Sequence, residues 1–270
     1  MTPRTRTRAT LVALVTLALA SPAFAATTPP GVNIRWDNCF DDGGLMNKTF
    51  ACNTNAGQEQ LVVSFVLAEP MLDVSGQEIV VDIRSASATL PAWWAFKNAG
   101  TCRLNSLAFT VGAVGSEVNC TEWSGGQAVG GIGAYQIGSP GPNGALLKAA
   151  VAVPSTALAA LDPGVEYISG RLRINNLKTT GTGACAGCTE PVCIYLTSIN
   201  VASPVVANNV RLTTGANDVA SQIVTWQDGL VRNLASNCGL VGCFPTFDCV
   251  LAPPTSARNS TWGAVKSLYR

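Results

Sequence analysis

Apolar residues recur along this chain in short bursts, at 32–36, 61–67, 78–84, 107–114, 127–137, 145–153, 165–174, 192–201, 205–212 and 220–226. Turn-forming residues separate the bursts, such as Ser75-Gly76 and the run from Pro140 to Gly144. Where a period can be read it is two: Arg171 and Arg173 alternate with Leu172 and Ile174. Runs of this length, rich in Val, Ile and Thr and bounded by Gly, Pro and Asn, are strand signals. Residues 154–161 predict a single short helical turn, capped by Ser155 and stopped by Asp162-Pro163-Gly164. No stretch is long enough to supply helical crossovers, which argues against a parallel α/β sheet. The pattern predicts an all-β fold, a two-sheet β-sandwich of jelly-roll or Ig-like kind.

Both ends depart from that pattern. Three arginines (Arg4, Arg6, Arg8) precede an apolar run at 11–20, and Ala23-Phe24-Ala25 offers small residues at a cleavage position. This is the form of a secretion signal, and the run is too short to anchor in a bilayer. The expected division is therefore a signal peptide over 1–25, a β domain over 26–250, and a Pro-containing linker with an amphipathic tail over 251–270. In the tail, Trp262, Val265, Leu268 and Tyr269 fall at helical spacing, with Lys266 and Arg270 on the other side. So short a helix is marginal alone and needs a partner surface. Two readings stand: a tail that docks on its own domain, or a peptide presented to sorting or attachment machinery.

Composition sharpens the compartment. Ten cysteines (Cys39, Cys52, Cys102, Cys120, Cys185, Cys188, Cys193, Cys238, Cys243 and Cys249) all follow the leader, and an exported chain with an even count implies disulfides. Cys39 and Cys52 bracket one polar loop and Cys102 and Cys120 another, so each pair is expected to close locally. Three cysteines then remain at 185–193 and three at 238–249. Three cannot pair among themselves, so at least one bridge must join the two groups. The Cys185-x-x-Cys188 spacing also suits zinc or a redox pair. Its setting, before a strand rather than a helix and in an oxidising compartment, favours disulfides. Charged residues are 12% of the chain. Without the leader's arginines the seventeen basic residues become fourteen against sixteen acidic, a formal charge of −2. That balance excludes a basic stripe for nucleic acid. No segment after the leader is long and apolar enough to be transmembrane.

Histidine is absent. This removes Ser-His-Asp and Cys-His catalysis and every imidazole metal ligand. No Ser-x-x-Lys spacing appears, and the glycine-rich stretch at 125–133 lacks the Gly-Lys-Ser/Thr of a phosphate loop. Asp37, Asn38, Asp41 and Asp42 form the one cluster of oxygen ligands, followed by Gly43-Gly44, and read as an Asx-rich turn rather than a calcium loop. The acids are otherwise scattered, without the alternating carboxylates of sandwich-type glycosidase strands. Trp93 and Trp94 are neighbours. On a strand they would face opposite ways, leaving one exposed. An exposed indole, with Trp123 or Trp226, could stack on a sugar ring; the plainer reading is that all of them pack in the core or at its rim.

Several blocks carry a resemblance: the Trp262–Arg270 pattern, Asn38-Cys39, the run from Phe50 to Asn55, Leu90-Pro-Ala-Trp93-Trp94, and Gly183-Ala-Cys-Ala-Gly-Cys188. They resemble secreted Cys-rich bacterial β proteins with a short C-terminal tail. The resemblance implies a compartment and an architecture, and no activity. The expected function is that of a secreted or surface-associated, non-enzymatic β-sandwich with a structural or binding role. It would need no cofactor and meet a cell-surface or glycan partner. Two alternatives accompany it: a carbohydrate-binding module using exposed tryptophans, and a divergent hydrolase using a carboxylate pair.

Overall fold

The computed structural model describes residues 29–112, 120–215, 219–239 and 242–251. The predicted leader and the tail fall outside them. All regular structure among the described residues is strand or short 3-10 turn. A five-stranded sheet contains β1 (Gly31–Trp36), β3 (Gln58–Val66), β11 (Glu166–Asn175) and β6 (Leu107–Thr110) in that order, with β7 (Thr121–Glu122) also on β11. A seven-stranded sheet runs β2 (Asn47–Lys48), β14 (Ile223–Trp226), β12 (Val192–Ala202), β5 (Gly76–Ser85), β9 (Gly144–Ala152) and β8 (Val129–Ile137), with β13 (Val210–Leu212) also on β12. Two small ladders complete it. One pairs β4 (Met71–Val74) with β10 (Ala159–Leu161); the other is a hairpin of β15 (Gly229–Gly239) and β16 (Gly242–Leu251).

Alternation decides which side chains face inward. Val32, Ile34 and Trp36 on β1, with Leu61, Val63 and Phe65 on β3, share one buried cluster with Ile79, Val81 and Ile83 on β5 and Leu147 and Ala149 on β9. The two larger sheets thus bury their apolar faces in a single core. In β12 the inward residues are Val192, Ile194, Leu196, Ile199 and Val201. The step from Leu196 to Ile199 is three, and a register shift between Leu196 and Ser198 absorbs the extra residue. Such a bulge resets the phase of a strand, so a ten-residue apolar run keeps one face inward without strict alternation.

Several sequence expectations need correction. Residues 154–161 form no helix: Ala157 N–H bonds the Pro154 carbonyl in one turn, and Ala159–Leu161 pairs with β4. Ala92–Trp94 is a 3-10 turn rather than a strand. The expected strands at 205–212 and 220–226 each begin with a 3-10 turn and shorten to β13 and β14. The hairpin β15–β16 was not legible, because Gly, Asn, Ser and Pro interrupt its apolar residues.

The disulfides also differ from the local pairing. Cys39 bonds Cys120, Cys52 bonds Cys188 and Cys102 bonds Cys185. Bonding requires Cα atoms within about 7 Å, and these six cysteines lie in loops and turns whose meeting is set by the fold rather than by closeness in sequence. The fourth bridge, Cys193–Cys249, does join the two C-terminal groups. Its origin is different from the parity count: Cys185 and Cys188 pair with upstream partners, which leaves Cys193 for the hairpin. In the hairpin itself the backbone register sets Cys238 opposite Cys243.

Candidate functional site

Four of the tryptophans come together, but inside. Trp36, Trp93, Trp94 and Trp226 are all fully buried, and Trp123 is 4% exposed. Trp93 stacks on Trp226 at 5.2 Å, and Trp94 meets Trp226 edge-on at 5.7 Å. The polar edges of two of them pair across the cluster: Trp93 Nε1 donates to Thr179 Oγ1 at 3.0 Å and Trp226 Nε1 to the Cys188 carbonyl at 2.7 Å, while Trp94 Nε1 is buried without a hydrogen-bond partner. The Arg103 guanidinium lies 3.7 Å over the Trp93 ring and donates to the Trp93 and Asn175 carbonyls. Burial pushes its pKa down, to about 9. The reading of these tryptophans as core packing therefore holds, and the alternative of an exposed indole at Trp93 or Trp94 does not. Strand alternation would have parted the two side chains, whereas a 3-10 turn lets both enter the core.

The Asx-rich loop does not converge on a cation. Among the described residues no group of three or more His, Cys, Asp or Glu is placed to hold a metal. Asn38 Nδ2 instead donates to the Asp42 carbonyl, and the backbone N–H groups of Phe40 and Asp41 donate to the Glu166 carboxylate at 3.0 Å each. Glu166 also accepts from Ser64 Oγ at 2.5 Å and from Asn33 at 3.4 Å. One buried carboxylate thus fixes the loop, and Cys39–Cys120 pins it over Val62 and Ile168.

Asp37 turns away from its sequence neighbours to Lys48, whose Nζ lies 2.6 Å from Asp37 and 3.2 Å from Glu59. Burial alone would lower the ammonium's pKa, but the hydrogen bonds to both carboxylates outweigh it and raise it. A lysine held protonated is a structural cation, not a nucleophile. Asp82 is the carboxyl set apart from water: 1% exposed on β5, 3.3 Å from Arg84 Nε, on the face that Phe247 and Cys249 of the hairpin cover. Burial pushes its pKa up to about 7 against the opposing pull of Arg84.

A groove of about 670 Å³ remains, between residues 67–73 and the strand that carries Val210 and Leu212. Met71 and Leu67 form its buried floor, while Leu72 is 76% exposed and Val210 37%. Val206, 77% exposed, stands in the 3-10 turn before β13. The two walls are tied: Ser203 Oγ donates to Asp73 at 2.6 Å, and Ser75 N–H to the Ala202 carbonyl at 2.8 Å. The groove is thus preformed, and its titratable lining groups, Glu69 and Asp73, are both acidic. Exposed apolar side chains gathered in a fixed concavity are the usual mark of a binding surface. Sequence reading placed Val206, Val210 and Leu212 in an expected strand, with no sign of a groove, and passed over Leu72, which sits in a short segment with no period.

Comparison of the chain with protein-family models finds no match, and comparison with curated proteins and with solved structures finds none either.

Proposed function

We propose that this chain is an exported, disulfide-framed β-sandwich, of the broad class that includes jelly rolls and Ig-like domains, with a structural or binding role outside the cell and no catalytic one. The observation that supports this most is the covalent frame. Its bridges close chain separations of 81, 136, 83 and 56 residues and bind both sheets, the loops around the tryptophan cluster and the hairpin into one unit. Bridges of this number suit an oxidising compartment. No helix among the described residues is long and apolar enough to cross a membrane. The absence of histidine supports a non-catalytic role, as does the engagement of Glu166, Asp37 and Glu59 in structural bonding. The resemblance to secreted Cys-rich proteins with a short tail points the same way.

The deciding measurement is the intact mass of the protein from its native host, before and after reduction. An exported chain should lack residues 1–25 and gain two hydrogens for each of its bridges on reduction. A chain that keeps its leader and shows no mass change on reduction would remove the proposal. The burial of Trp93, Trp94 and Trp123 takes away the geometry on which sugar stacking by those indoles would rest.

A further inference from the structure

We propose that the groove between residues 67–73 and β13 is the docking site of this chain's own segment Trp262–Arg270. The idea goes beyond the exported-scaffold reading and can fail without it.

Three observations lead to it. The first is chemical fit. The groove offers Leu72, Val210 and Leu212 over a floor of Met71, and the segment offers Trp262, Val265, Leu268 and Tyr269 at spacings that share one face. A segment too short to hold a helix alone gains order from such an apolar surface. The second is charge. The groove's ionisable lining is Glu69 and Asp73, whereas the segment carries Lys266 and Arg270 and no acid. Opposite charges at the rim of an apolar contact steer orientation and exclude the reversed pose.

The third is reach. Leu251, the last residue of β16, pairs with Gly229. Gly229 lies against Val192, close enough that a Cβ there would stand 2.9 Å from the Val192 carbonyl. The groove strand β13 pairs further along the same β12, at Val201 and Ile199. Both β14, which leads into the hairpin, and β13 lie on the edge of β12 opposite β5. From Val192 to Val201 is about 30 Å of strand. Residues 252–260, when extended, span about 30 Å, and Pro253-Pro254 favours extension. The linker therefore matches the distance from the hairpin's end to the groove, along one edge of the seven-stranded sheet.

The test is zero-length carbodiimide cross-linking of the purified chain, with residues 261–270 confirmed present by intact mass, followed by peptide mapping. Lys266 should couple to Glu69 or Asp73 within one molecule. The coupling should fall at least about tenfold in Leu72→Asp and in the double variant Trp262→Ala, Leu268→Ala; a tenfold loss corresponds to about 1.4 kcal/mol. Leu72 is exposed, so its substitution should leave the circular dichroism spectrum unchanged. As a second readout, backbone amides of 261–270 should exchange at least about tenfold faster in Leu72→Asp than in the parent. A mixture of isotopically labelled and unlabelled chains separates the outcomes. Mixed-label cross-links would assign the groove to a second copy and overturn the proposal. Absence of any coupling between segment and groove, or exchange indifferent to Leu72, would overturn it as well.

Discussion

Arg103 shows how a single residue can be held inside an apolar cluster without a carboxylate partner. Its charge rests on the Trp93 ring and on two backbone carbonyls. Truncation would leave both carbonyls unpaired beside a cavity. Arg103→Ala should therefore cost about 3–5 kcal/mol, read as a lowered urea midpoint. An unchanged midpoint would mean that the buried cation contributes nothing net. Asp82 poses the opposite case. Burial raises its pKa to about 7 in the folded chain, above the ordinary carboxylate value near 4. The folded state thus holds this proton more tightly than the unfolded one. Its contribution to stability is complete below pH 4, is lost as pH rises toward 7 by up to about 1.4 kcal/mol per unit, and is flat above. Asp82→Asn should gain stability relative to the parent across that interval, measured by denaturation at pH 4, 5.5 and 7.5. A difference that does not vary with pH would show that Asp82 is not the titrating group.

Among the elements, the hairpin β15–β16 depends most on a covalent tie. It lies on the outer face of the seven-stranded sheet through Phe247 and Cys249, against Cys193 and Tyr195. That small cluster is separate from the main core. In the loop-closure picture the Cys193–Cys249 bridge contributes about 4 kcal/mol. Replacing both cysteines by serine should speed hydrogen exchange throughout 229–251 while leaving β3 and β11 protected. Equal acceleration in all three would mean that the hairpin belongs to the main cooperative unit. The bulges have a comparable role within strands. At Gly170, next to one of them, a Cβ would run into the Phe109 ring, so Gly170→Ala should force β6 away from β11 and destabilise the chain by about 1–3 kcal/mol, read in the same urea titration.

For the molecule as a whole, the pairing of its cysteines is the sharpest commitment. Unreduced peptide mapping should recover Cys39 with Cys120, Cys52 with Cys188, Cys102 with Cys185 and Cys193 with Cys249. Recovery of Cys39 with Cys52 would contradict the strand register that parts them. Strand existence was largely legible beforehand: β1, β3, β5, β9, β11 and β12 each overlap a run read from apolar bursts, with ends displaced by up to three residues. These strands are largely buried, β1 among them although it ends its sheet, so hydrophobicity marks them. The short or edge strands β2, β4, β7 and β10 were not legible. Each is at most four residues and exists because a neighbour offers free backbone groups, which is a property of the partner. The candidate groove escaped notice for the same reason, since its walls are 130 residues apart at Asp73 and Ser203.

The sequence by itself determined the class of the molecule. Short apolar runs dictate strands, an even cysteine count behind a leader-like segment points to an oxidised frame, and the lack of histidine removes most catalytic arrangements. These are sums over local composition, and they survive any choice of neighbours. Tertiary structure alone decided which cysteines meet, that adjacent tryptophans both turn inward, that Glu166 rather than a cation organises the Asx loop, and where an apolar groove stays open. Each of those depends on which backbone lies beside which. That is fixed by sheet order and bulge positions across more than a hundred residues, where periodicity along one strand carries no information.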